Sequence, residues 1–98
     1  MSYEYVMFRK VKGKWESNPE APVFQIASKK LAKEHIVSRH GLMRGFGWSG
    51  NHDIESVTRL HRGGDMKDTE SLDFFFDYTY APDAMHSVRY REAIRRTK

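Results

Sequence analysis

Ser71–Tyr80 reads SLDFFFDYTY, and this stretch decides the fold. Leu72, Phe74, Phe76, Tyr78 and Tyr80 alternate with Asp73, Phe75, Asp77 and Thr79. A period of two is that of a strand with one face on a core and one near water. Each aromatic ring on the inner face can bury about 150–250 Å². No other segment has as much to bury, so this strand is expected at the centre of the fold.

Toward the N-terminus, Tyr3–Val11 predicts a first strand with apolar groups on both faces, a pattern of strands covered on both sides. Lys12-Gly13-Lys14 is a turn in which Gly13 is free to take positive φ. Trp15 opens a short return strand or packs over the hairpin. Ser17–Pro22 is a loop, because Asn-Pro and Ala-Pro push the chain away from helix. Val23–Ile26 is a second short strand. Ser28–His40 predicts a helix, with Ser28 as N-cap. Leu31, Ala32, His35, Ile36 and Arg39 lie on one face, and Gly41 stands in the C′ position. Gly41–Gly50, with four glycines, predicts a loop carrying Phe46 and Trp48, either against the core or as contact residues.

On the C-terminal side, Asp53–His61 predicts a strand that pairs with the aromatic one across the polar loop Arg62–Glu70. Pro82 fits the first position of a last helix, with Asp83 in its first turn. The expected fold is therefore α+β: a small antiparallel sheet in the order β-β-α-β-β-α, with two helices packed on one face. Residues 1–98 make one domain with a basic C-terminal tail at 89–98.

Composition narrows the class. No apolar run approaches the length of a membrane span, and MSYEYVMFRK lacks the basic head and apolar block of a signal peptide. There is no cysteine, which excludes thiolate chemistry and disulfides and fits a cytoplasmic protein. The net charge of +4 is unevenly laid out. Residues 1–50 hold nine basic and four acidic side chains, residues 51–88 three and eight, and residues 89–98 five and one. Asymmetry of this kind speaks about partners rather than fold.

Sequence motifs for chemistry are sparse. Gly50-Asn51-His52-Asp53 is similar, over four residues, to one metal-binding motif of the calcineurin-like phosphoesterases. That family also needs aspartate motifs upstream, and Asp53 is the first aspartate in the chain, so the resemblance is set aside. His35, His40, His52, His61 and His86 show no metal-ligand spacing, and no phosphate-binding glycine loop is present, so neither metal nor cofactor is expected.

The basic clusters are left. Lys29, Lys30 and Lys33 sit where the helix dipole is positive; this is either a solvated lysine face or an anion site. Arg44 and Trp48 offer a cation and a ring for stacking on a base. Arg89, Arg91, Arg95 and Arg96 supply further phosphate ligands from the tail. The expected function is binding rather than catalysis, with nucleic acid or a nucleic-acid-associated protein complex as partner. Two alternatives go with it: a small phage-type accessory protein that inhibits a host protein machine by direct contact, and a small basic nuclease using His61 or Arg91.

Overall fold

The computed structural model describes residues 2–97; Met1 and Lys98, the ends of the expected domain and tail, lie outside the described residues. In chain order the elements are β1 (Ser2–Val11), β2 (Lys14–Ser17), β3 (Phe24–Ile26), α1 (Lys29–Trp48), β4 (Ile54–Val57), β5 (His61–Arg62), β6 (Leu72–Asp83) and β7 (His86–Thr97). All seven strands join one antiparallel sheet with the path β2-β1-β7-β6-β4. Two short strands extend its edges: β3 pairs with Tyr3–Tyr5 of β1, and β5 pairs with Phe74 and Phe75 of β6.

The fold departs from the sequence expectation in one decisive way. Among the described residues there is a single helix, not two, and the order is β-β-β-α-β-β-β-β. The segment expected as a Pro82-led helix and a basic tail is the end of β6, a tight hairpin, and β7. β7 lies between β1 and β6, so it carries ladders on both sides. The physical reason is the alternation in His86–Thr97. Val88, Tyr90, Glu92 and Ile94 share one face, and Arg89, Arg91, Ala93 and Arg95 share the other. Charged residues at inward positions hide this pattern in the sequence, but carboxylates on neighbouring strands meet them. Asp77 lies directly opposite Arg91, and Glu4 directly opposite Arg95.

The helix is also longer than expected. Ser28 is its N-cap, with Oγ accepting from the Leu31 N–H at 3.2 Å. The helix then runs through Gly41, Gly45 and Gly47, each costing about 1 kcal/mol relative to alanine. Tertiary contacts outweigh that cost. Just before Gly41, Arg39 donates to Glu92 of β7 and His40 Nε2 lies 2.8 Å from the Thr58 carbonyl; beyond it, Met43 is buried in the core. The C′ glycine is Gly50, not Gly41. It has φ +82°, its N–H donates to the Gly47 carbonyl, and the Asn51 N–H donates to that of Phe46, the Schellman pattern. Gly50-Asn51-His52-Asp53 is thus the helix stop and the turn into β4.

The aromatic strand packs both faces of the sheet. Phe74, Phe76 and Tyr78 meet Ala32, Ile36 and Met43 of α1, together with Tyr3, Tyr5, Ile54 and Ile94. Leu72 does not join them. The register shifts between Leu72 and Phe74, so Leu72 lies with Val6, Phe75 and Ala93 on the second face. The double-sided β1 follows the expectation, with Tyr3 and Tyr5 on one side and Val6 on the other. Its hairpin into β2 turns at Lys12 and Gly13, both at positive φ.

The connection 63–71 is built around Thr69, which is fully buried. Its Oγ1 accepts from the Gly64 and Met66 N–H groups and donates to the Met66 carbonyl. This closure brings Gly63 against β6: a Cβ there would lie 1.5 Å from the Leu72 carbonyl oxygen. Gly41 faces open space within the helix. Gly63→Ala is therefore expected to cost at least about 2 kcal/mol, lowering the melting midpoint by roughly 10 °C or more, whereas Gly41→Ala stabilises by about 1 kcal/mol. Thermal denaturation of both variants checks this. A destabilised Gly41→Ala would mean that the helix ends before that residue.

Candidate nucleic-acid interface

At 100° per residue, Lys29, Lys30, Lys33, His40, Arg44 and Trp48 fall within a sector of about 100° on α1. That sector borders the buried stripe of Ala32, Ile36 and Met43. The row runs about 28 Å along the helix axis, from Lys29 to Trp48. At its start, a cleft of about 630 Å³ opens between α1 and the sheet. Lys29, Lys30 and Lys33 line it on one side, and Arg62 and Arg96 on the other, against Glu70 and Asp73. Lys33 Nζ lies 5.5 Å from the centre of the Phe74 ring, and Arg96 donates to Asp73 at 3.1 Å. At the far end, the Arg44 guanidinium sits 4.6 Å from the Trp48 ring centre, and Trp48 is 77% exposed beside edge strand β4.

Pairing divides the cations into two classes. Lys29, Lys30, Lys33, Arg44 and Arg62 form no ion pair among the described residues. The four arginines of β7 are all paired. Arg91 Nε and Nη2 donate to the two carboxylate oxygens of Asp77 at 2.7 and 3.0 Å. Its guanidinium lies between the Trp15 and Phe75 rings, 4.2 and 4.7 Å from their centres, and it is buried. Arg95 donates to Glu4 at 2.6 Å, and Arg89 stands 3.7 Å from Asp77.

The structure thus brings Lys29, Lys30, Lys33 and Arg96 to one cleft, and places Arg44 and Trp48 further along the same helix flank. Arg89, Arg91 and Arg95 lie on the opposite face of the sheet, apart from that row. Arg62 belongs to the cleft and was not singled out by sequence. The sequence reads it as the start of a polar loop, whereas it is the second residue of β5, and the pairing of β5 with β6 puts it at the cleft.

Electrostatics follow the same pairing. The Arg95 hydrogen bond holds Glu4 below the usual carboxylate range. Burial and the neighbouring Glu92 carboxylate push the Tyr5 and Tyr78 hydroxyls upward, and hydrogen bonding to Glu92 raises Arg39. His35 meets Tyr5 and Phe24 edge-on, with ring centres 4.8 and 5.0 Å apart. Its Nε2 is buried without a hydrogen-bond partner, and desolvation, then Arg39, lowers its pKa while Glu92 opposes the shift. Of the other histidines, His61 stacks on Phe75 and His86 pairs with Asp83 in the β6–β7 turn. Among the described residues no three His, Asp or Glu side chains gather as a metal site.

Comparison with known proteins gave no match: no family model, curated sequence or solved structure is significantly similar to this chain. No helix among the described residues is long and apolar enough to cross a membrane.

His35 gives a pH test. Its charged form is disfavoured in the folded chain, so its contribution is complete above the unfolded value of about 6.5 and declines as pH falls below it. The stability difference between the parent protein and His35→Leu is expected to shift against the parent between about pH 7 and 5.5. Parallel pH profiles for the two would show that His35 takes up its proton equally well in both states.

Proposed function

We propose that the protein is a cytoplasmic, non-catalytic module that binds single-stranded nucleic acid, free or within a nucleoprotein complex, along the lysine flank of α1. The observation that carries this reading is the row of unpaired cations, Lys29, Lys30, Lys33, Arg62 and Arg44, ending in exposed Trp48. Single-strand binders combine a basic track for the backbone with an aromatic platform on which bases stack. Phosphates fit the cleft at the helix start, where Lys29, Lys30, Lys33 and Arg62 have no carboxylate partner to release. A base fits Trp48, whose ring already has the Arg44 guanidinium over it. Arg91 and Arg95 have no such role, because Asp77 and Glu4 would lose their main counter-charge, and Arg89 lies with them on the opposite face of the sheet.

Fluorescence anisotropy with a labelled oligothymidylate and a labelled oligouridylate, across a salt series, tests this. About four phosphate contacts predict a slope of log K against log salt near −3. Replacing Lys29, Lys30 and Lys33 together with glutamine should flatten the slope to about −1 and weaken binding. Trp48→Ala should weaken binding roughly fivefold to a hundredfold with the slope unchanged. Affinity independent of salt, or equal loss on neutralising Lys12 and Lys14 at the hairpin tip instead, would overturn the reading.

A further inference from the structure

A second pocket, of about 390 Å³, opens on the other side of the helix, where β6 and β7 run on beyond it. We propose that it binds a small organic cation of the alkylated ammonium class. Three tyrosines make its wall. Tyr78 and Tyr90 stand 5.5 Å apart between ring centres at 36°, and Tyr80 and Tyr90 stand 6.4 Å apart at 53°. Tyr78 is buried at the back, stacked on Phe76, so Tyr80 and Tyr90 offer most of the accessible ring surface, and Phe46 of α1 lines the helix side. Aromatic faces carry negative electrostatic potential and attract alkylated ammonium groups.

The charges around the pocket set the sign of the ligand. Arg39 lines it too, but its Nε and Nη2 donate to the two oxygens of the Glu92 carboxylate, at 2.7 and 2.8 Å. The two cancel. The Asp53 carboxylate at the rim has no hydrogen bond or ion pair among the described residues. With the buried Glu92 counted behind Arg39, the charges at the pocket sum to a single negative one, that of Asp53, in a protein whose formal net charge is +4. An anion would meet Asp53 and the ring faces unfavourably. An alkylated ammonium gains the carboxylate, the rings and apolar contact with Met43 and Phe46 at once. The site shares no residue with the lysine flank and does not depend on nucleic-acid binding.

Choline and 3,3-dimethylbutanol, which have the same shape and differ in charge, separate this proposal from simple apolar filling. Titration of each into the protein at constant ionic strength, followed by the NMR signals of the Tyr80 and Tyr90 rings, should show choline saturating roughly threefold to thirtyfold more tightly. Asp53→Asn should remove most of that preference while leaving the weak alcohol binding as it was. The Asp53 backbone bonds to Asn51 and Ala81 remain available to the amide variant. If that variant does not fold, Tyr90→Leu serves, and it should weaken choline binding without moving the salt dependence of oligonucleotide binding. Equal affinity for the two probes, shifts at other residues, or no saturation in the millimolar range would each overturn the proposal.

Discussion

One buried carboxylate fixes how the helix sits on the sheet. Glu92 on β7 is fully inaccessible, and three other elements meet it. Arg39 of α1 grips it with two hydrogen bonds, and the hydroxyls of Tyr5 on β1 and Tyr78 on β6 complete its shell. A charge removed from water is tolerable only with such a set of partners. The apolar contacts of Ala32, Ile36 and Met43 supply area, but area alone does not fix direction. The Arg39–Glu92 pair does, because the guanidinium fork accepts a carboxylate in few geometries. Once α1 is so placed, its lysine flank borders β5 and β6 on one side, and its other flank forms a wall of the tyrosine pocket.

The second face uses the same device. Arg91 lies between Trp15 and Phe75 and is held by Asp77, with Asp68 of the 63–71 connection 3.7 Å away. Together the two pairs explain how a chain with 31% charged residues builds a central strand from RYREAIRR. They also explain its surface. Most carboxylates on the sheet engage arginines, while the lysines of α1 and of the first hairpin have no acidic partner among the described residues. The free positive charge of the protein is therefore set by which cations the sheet leaves over, and not by where basic residues cluster in the sequence.

This accounts for what the sequence disclosed. Ser71–Tyr80, the two-sided first strand, the Gly13 turn and the Ser28 cap each follow from local pattern, and each is present. β7 was obscured because Arg91 and Glu92 look like surface residues until their partners, 14 and 53 residues away, are in place. The helix beyond Gly41 was obscured because propensity opposes it, whereas the burial of Met43 in the core and the stop at Gly50 and Asn51 sustain it. The exit of Leu72 to the second face depends on a register shift that no period reveals. In the interface, Lys29, Lys30, Lys33, Arg44 and Trp48 could be named from the sequence, since one helix carries them all. Arg62 could not, and neither could the separation of Arg89, Arg91 and Arg95 from the row.

A double-mutant cycle on Arg39 and Glu92 tests the central claim most directly. Arg39→Met, Glu92→Gln and the double variant would be compared by urea denaturation. Each single change is predicted to cost about 3 kcal/mol, and the double change much less than their sum, with a coupling of at least about 1.5 kcal/mol. Additivity within about 0.5 kcal/mol would contradict the account, and would mean that apolar packing alone seats the helix.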